Sequence, residues 1–295
     1  MRASVPEVNG IRQTNPGAAP RASATRAALG YDAGVSLRFW KYHGLGNDFI
    51  VVEGPPLMTP ERAFGLCDRR RGVGADGVLT VLPAAEGGAA RMHLYNSDGS
   101  VGAMSGNGIR CFARHLVETR GLSGEMAIET DAGERRCTLH RGPGGEIESF
   151  SVDMGTARVE GEQDFQVGGD RFHAVRVSMG NPHAVIFRGP GRALAESAGP
   201  AIERMVPGGV NVGFAEPHEG GLDLVVWERG AGLTDACGTG ASAAAAAAVR
   251  GGWLPAGRPL EVRLPGGVLR VTVEDDLHIQ LRGPAERVFQ GETDL

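Results

Sequence analysis

Two short stretches of this chain repeat one another, and that repeat limits what the chain can fold into. Thr234-Asp235-Ala236-Cys237-Gly238-Thr239-Gly240-Ala241-Ser242 runs into an unbroken alanine tract, Ala243 to Ala248. Alanine is the strongest helix former, and Arg250 with Gly251 and Gly252 supplies a basic last turn and a stop. The pattern predicts a helix that begins in the glycines just after Cys237. Ala103-Met104-Ser105-Gly106-Asn107-Gly108-Ile109-Arg110-Cys111 has the same Gly-x-Gly after a small polar residue. An apolar segment follows, Phe112 to Val117, and Arg120-Gly121 closes it. At nearly equal separations, each start is preceded by an Asn-led apolar strand. Asn47-Asp48-Phe49-Ile50-Val51-Val52 precedes Ser105, and Asn181-Pro182-His183-Ala184-Val185-Ile186 precedes Cys237. This self-similarity reads as a duplicated unit. Two copies facing each other would bring two helix N-termini around one ligand.

Glycines at these starts leave the first backbone N–H groups unshielded. With the helix dipole, those donors make an anion site. The same field favours a thiolate, so Cys237 is expected to have a depressed pKa and to be reactive. The plainer alternative is a buried cysteine ahead of an ordinary core helix.

The chain has 295 residues, enough for two domains with real cores. Hydrophobic content of 41% and charged content of 22% are those of a soluble globular protein. A net charge of −5 speaks against a nucleic-acid partner, and no apolar run could span a bilayer. Cys67, Cys111, Cys137 and Cys237 show no metal-ligand spacing, and there is no secretory signal. They read as reduced thiols in a cytoplasm. Lys41 is the only lysine, and it sits where a strand enters a glycine turn. That speaks against pyridoxal phosphate, which needs a Schiff-base lysine.

Met1 to Ser36 is rich in Ala, Arg, Ser, Pro and Gly, without amphipathic period, and reads as a disordered tail or a misassigned start. Its scarcity of acids leaves a transit peptide conceivable. Leu37 to Val52 predicts two strands around Gly44-Leu45-Gly46-Asn47. Thr59 to Cys67 predicts a short helix with Thr59 as N-cap and Pro60 first. Gly72-Val73-Gly74-Ala75-Asp76-Gly77 matches GxGxxG but precedes a strand, Val78 to Leu82, so it reads as a turn and not a dinucleotide site. Arg91 to Tyr95 is a strand leading into the polar turn Asn96 to Ser100. Glu125 to Val152 is β-rich. Strands are expected at Arg171 to Met179, Ala184 to Phe187, Val210 to Phe214 and Leu222 to Trp227. A helix from Arg192 to Met205 is expected to be interrupted by Pro200. Leu260 to Phe289 alternates around Pro265-Gly266-Gly267 as a hairpin does. Strands dominate, with one long helix expected per repeat.

A set of motifs in order resembles the diaminopimelate epimerase family. They are Lys41-Tyr42-His43-Gly44-Leu45-Gly46-Asn47-Asp48-Phe49, Cys67-Asp68-Arg69 with Gly74-Ala75-Asp76-Gly77, and Asn96-Ser97-Asp98-Gly99-Ser100. Gly106-Asn107-Gly108-Ile109-Arg110, Gly180-Asn181-Pro182-His183, Asn211-Val212, Glu228-Arg229-Gly230 and Ala236-Cys237-Gly238-Thr239-Gly240 complete the set. The resemblance covers nearly everything from Phe39 onward. It implies a mixed α/β fold of two pseudo-symmetric domains, each a curved β-sheet wrapped around a central α-helix, with the site between them. The last strand would return to the first domain, giving residues 37–149 plus 283–295 and residues 150–282, after the tail 1–36.

The chemistry implied by the resemblance is inversion at Cα of an amino acid without a cofactor or metal, interconverting LL- and meso-diaminopimelate. One cysteine takes the α-proton as thiolate while a second, on the opposite face, donates one. Two helix N-termini aimed at the α-carboxylate stabilise the carbanion. Carried over residue by residue, Cys237 and position 105 are catalytic. Gly106, Asn107, Gly238 and Thr239 hold the reacting carboxylate. Asn96, Asn181, Asn211, Glu228 and Arg229 hold the ammonium and distal groups, and Asn47 lines the site. Arg229 suits a bidentate carboxylate pair and Glu228 an ammonium. The resemblance also implies a homodimer.

One departure stands out: where the family has a cysteine, this chain has Ser105. A hydroxyl is far less acidic than a thiol of pKa about 8.5. As a base it would need a partner base; as an acid it could still donate a proton. Cys111 lies further along the helix on another face and does not substitute. Three readings stay open: a substituted form that holds substrate without turnover, a natural serine variant acting slowly or on another amino acid, and a silent homologue that only binds.

Overall fold

In the computed structural model, residues 36–54 and 58–294 are described; the expected tail lies outside them except for Ser36. The chain enters as a hairpin, β1 (Ser36–Gly44) and β2 (Asn47–Glu53). Its two turn residues, Leu45 at φ 57° and Gly46 at φ 88°, both lie in the left-handed region. Such a turn matches the right-handed twist of the strands it joins. Helix α1 (Pro60–Cys67) follows, and Thr59 Oγ1 accepts from the Arg62 N–H at 3.3 Å as an N-cap. Then come β3 (Gly77–Leu82), β4 (Ala90–Asn96), β5 (Val101–Gly102) and α2 (Gly106–Arg120). Strands β6 (Glu125–Thr130), β7 (Gly133–Arg141) and β8 (Ile147–Thr156) complete the first run.

The second run consists of β9 (Arg158–Val167), β10 (Asp170–Ser178), β11 (Pro182–Ile186), α3 (Arg192–Met205), β12 (Asn211–His218), β13 (Gly221–Glu228) and β14 (Gly232–Thr234). After α4 (Gly238–Arg250) come β15 (Pro259–Leu264), β16 (Gly267–Val273), β17 (His278–Gly283) and β18 (Glu286–Asp294).

Both halves pair their strands in one order. In the first, β18–β1–β2 is antiparallel, β2–β3 parallel, β3–β4 antiparallel, β4–β6 parallel and β6–β7–β8 antiparallel. In the second, β9–β10–β11 is antiparallel, β11–β12 parallel, β12–β13 antiparallel, β13–β15 parallel and β15–β16–β17 antiparallel. Every parallel step is crossed by a helix, as parallel pairing demands. The antiparallel pair β8–β17 joins the halves. The duplication read in the sequence is therefore a duplication of topology.

Each half surrounds its second helix. Helix α4 is packed by β9 to β13 and by β15 to β17. Ala241 and Ala243 to Ala248 are all buried, and Ser242 with them. A helix buried on every side must be apolar all round, and small side chains let strands approach from all directions. Helix α2 buries Ile109, Cys111, Phe112, Ala113, Leu116 and Val117 against β1, β2, β3, β7, β8 and β18.

The structure corrects two expectations. Helix α3 runs through Pro200 unbroken. The proline removes one N–H donor, and burial of Ala195, Ala198 and Ile202 holds the helix together. Each half has two helices of crossover type, including those expected near residues 59–67 and 192–205. Strand β9 was not expected: all but Phe165 of its residues are exposed or half-buried, so no apolar alternation marks it. The expected boundary between residues 149 and 150 lies within β8. Among the described residues no helix is long and apolar enough to cross a membrane.

Candidate active site

The two Gly-x-Gly starts fold alike because each is capped by the small residue before it. Ser105 is the N-cap of α2, and its Oγ accepts from the Gly108 N–H at 3.0 Å. Cys237 is the N-cap of α4, and its Sγ accepts from the Gly240 N–H at 3.3 Å. The next donors turn back to the caps' carbonyls: Ile109 to Ser105 and Ala241 to Cys237, both at 2.9 Å. The N–H groups of Gly106, Asn107, Gly238 and Thr239 are left without a helical partner. Gly106, Asn107 and Gly238 are buried. Buried backbone donors with no acceptor call for an anion.

The two starts meet. Asn107 Nδ2 donates to the Ala236 carbonyl at 2.9 Å and to Asn47 Oδ1 at 3.1 Å, so one side chain ties α2 to α4. Asn47 in turn donates to Asp76 at 2.7 Å. On the opposite side Asn181 Nδ2 donates to Thr239 Oγ1 at 3.3 Å. Its Oδ1 accepts from His183 Nε2 at 3.0 Å, which fixes the proton of the neutral imidazole on Nε2. Burial, then the charge of Arg229, pulls the His183 pKa down to about 3. Asn211 takes the Arg229 backbone N–H at 3.0 Å and donates to the Pro182 carbonyl.

Cys237 departs from expectation. Its thiol pKa is raised well above the ordinary value, not depressed. Burial is the largest cause, and the Glu228 carboxylate lying against it is the next. Bonds from Thr239 and the Gly240 N–H favour the thiolate but do not prevail. The adjacent acid is thus Glu228, nine residues upstream across β14. Burial raises the Glu228 pKa as well, and its carboxyl accepts from Thr234 at 2.6 Å. The other thiols are core residues: burial pushes Cys67, Cys111 and Cys137 up to about 12.

The structure brings Asn47, Ser105, Gly106, Asn107, Asn181, Glu228, Cys237, Gly238 and Thr239 together at this junction, with Asn211 behind it. Arg229 is exposed and bonds the Gly208 carbonyl at 3.2 Å. Asn96 sits on the exposed rim and donates to Ser100. Ser105 Oγ has no carboxylate or imidazole bonded to it among the described residues. Sequence reasoning missed His183 and Asp76 as parts of the site. The first had a signal, since Asn181 and His183 are two apart on an extended segment and share a face. Lys41 forms an ion pair with Asp48 at 2.6 Å and also donates to the Gly74 carbonyl.

The family model described as diaminopimelate epimerase matches residues 39–160 and 175–288. The diaminopimelate epimerase of Magnetococcus marinus is 40% identical over 275 residues, covering 86% of this chain and 96% of its own. That of Synechococcus sp. strain JA-3-3Ab is 43% identical over 288 residues, covering 87% and 98%. A chloroplastic diaminopimelate epimerase of Oryza sativa subsp. japonica is 40% identical, covering 92% and 84%. Among solved structures, a hydroxyproline epimerase from Agrobacterium vitis superposes with TM-score 0.71 at 17% identity, covering 89% of this chain and 94% of that one. A probable proline racemase from Agrobacterium radiobacter K84 gives 0.69 at 20%, covering 88% and 93%. These two share the fold: mixed α/β, in two pseudo-symmetric halves. With its motifs in order and its match spanning both halves, the chain belongs to the diaminopimelate epimerase family.

Proposed function

We propose that this chain interconverts LL- and meso-diaminopimelate by moving the proton at Cα, without a cofactor. One observation carries the reading: two helix starts with unclaimed N–H donors meet, and their caps are Ser105 and Cys237. A carboxylate between them accepts from Gly106, Asn107, Gly238 and Thr239. Those donors stabilise the charge that develops when Cα loses its proton. Cys237 takes that proton once its own has gone, and Glu228 is the group placed to receive it. Ser105 gives a proton to the opposite face and regains one from water. Asn47, Asn96, Asn181, Asn211 and Arg229 bind the rest of the substrate.

Ser105 slows interconversion in both directions, which share the same proton transfers, and impairs exchange least for the stereoisomer whose Cα proton faces Cys237. The two halves, residues 36–156 with 286–294 and residues 158–283, act as two domains that meet at the site. Homodimerisation and a cytoplasmic location go with the same reading.

The test is incubation with LL-diaminopimelate in heavy water, following deuterium at Cα and the appearance of the meso form. Binding without exchange or interconversion would leave a silent amino-acid binder. Exchange with a different amino acid only would make the chain a racemase of that substrate.

A further inference from the structure

Arg110 is wholly buried (0% exposed) and forms no ion pair among the described residues. Its guanidinium is held by neutral acceptors only. Nε donates to the Pro284 carbonyl at 3.1 Å, Nη1 to the Gly106 carbonyl at 2.8 Å and Nη2 to Asn107 Oδ1 at 2.9 Å. The slot is made by two glycines. A Cβ on Gly44 would lie 2.9 Å from Nη2, and one on Gly283 would lie 3.2 Å from the guanidinium carbon. Burial lowers its pKa only to about 10, so the group is charged at neutral pH.

A buried charge without a counter-ion is costly unless something compensates it. Two of the three acceptors belong to Gly106 and Asn107. The Gly106 carbonyl shares a peptide group with the unclaimed Asn107 N–H. A cation on that carbonyl polarises the peptide and strengthens the donor at its other end. The second half lacks this device. At the matching position of α4 stands Ser242, whose hydroxyl donates to the Gly238 carbonyl at 2.9 Å. The repeat thus keeps the bond but carries the charge on one side only, opposite the side that holds Glu228.

We propose that Arg110 is a positioning residue whose buried charge, acting through the Gly106 carbonyl and Asn107, is the fixed counter-charge of the reacting α-carboxylate. It makes α2 the stronger of the two anion-binding starts. This rests on the function proposed above.

The test compares the full chain with Arg110→Lys and Arg110→Gln. Binding of meso-diaminopimelate is measured by calorimetry, Cα exchange in heavy water by mass spectrometry, and Tm alongside. Arg110→Gln should weaken binding at least about tenfold, the scale of one hydrogen bond to a charged group, and lower the exchange kcat as well. Arg110→Lys keeps the charge with fewer donors and should recover most of the affinity at a Tm no higher than that of the glutamine variant. Equal losses in both variants, tracking Tm, would make the role structural and overturn the proposal. Should the glutamine variant misfold, the lysine variant decides alone: affinity kept within about tenfold of the unaltered chain at a lowered Tm supports the proposal, and a larger loss overturns it. Failure of the unaltered chain to bind diaminopimelate overturns the proposed function too. Binding by that chain with no lysine–glutamine difference overturns this inference alone.

Discussion

Gly106 and Gly238 face each other across the two helix starts in close contact. A Cβ on Gly238 would lie 3.3 Å from the Gly106 Cα, and one on Gly106 would lie 3.5 Å from the Gly238 Cα. The contact favours glycine at both starts: a Cβ on Gly238 would press on Gly106 and ease the two sets of N–H donors slightly apart.

Gly238→Ala should therefore weaken diaminopimelate binding while leaving Tm nearly unchanged. Alanine gains about 1 kcal/mol of helix propensity over glycine, which offsets the tight contact. Calorimetric affinity and a thermal melt check it together; unaltered affinity would show that the starts need not touch.

Ser105→Cys should raise the rate of epimerisation at least about a hundredfold, the lower end of what a positioned acid–base group contributes. The cap geometry supports a simple exchange, since Cys237 Sγ already accepts from Gly240 as Ser105 Oγ does from Gly108. Steady-state rates on both stereoisomers test this. No gain would shift belief to another substrate or to binding alone.

With Ser105 in place, exchange at Cα should be strongly unequal for the LL and meso forms, because one face meets a thiol and the other a hydroxyl. Separate incubations in heavy water, read by mass spectrometry, measure the ratio. Equal and fast labelling of both would mean that Ser105 does not impair its side.

Cys237 should resist iodoacetamide until the pH passes above the ordinary thiol range near about 8.5, because burial and Glu228 both favour the protonated form. Glu228→Gln removes the second cause, so labelling should begin at lower pH. Cys67, Cys111 and Cys137 should be unaffected. Peptide mapping across a pH series decides; an unchanged Cys237 profile in the glutamine variant would remove Glu228 from the account.

His183 makes the fold sensitive to acid. Its pKa is about 3 in the fold and near 6.5 when free. Between those values the unfolded chain holds a proton that the fold does not. Stability therefore falls as the pH drops below 6.5, with a slope of up to about 1.4 kcal/mol per pH unit from this one group. His183→Gln should flatten that slope in urea midpoints taken from pH 4.5 to 6.5 (roughly the window set by the linkage). A slope identical to the unaltered chain's would assign the acid sensitivity elsewhere.

Both helix starts and the duplication were legible in the sequence because glycine, alanine and small polar residues act through the backbone. Local chemistry placed Thr59, Gly121 and the Leu45-Gly46 turn for the same reason. The Cys237 pKa was misjudged because the helix field is local and readable, whereas burial and the approach of Glu228 are tertiary. Likewise, β9 carries no apolar alternation, so only its pairing with β10 defines it. Pro200 misled because a proline marks a helix break only where packing does not hold the turn.

Strand β18 pairs along the whole of β1, from Ser36 opposite Asp294 to His43 opposite Glu286. On a ribosome, β1 emerges before the other described strands and β18 after them. Until β18 has emerged, that hydrogen-bonding edge of β1 has no partner and can recruit strangers. Arg110 and Arg114 likewise wait for the carbonyls of Pro284 and Ala285. The start of α2 therefore gets its final shape only once Pro284 and Ala285 have been made, so a nascent chain stopped short of them would lack a working first half.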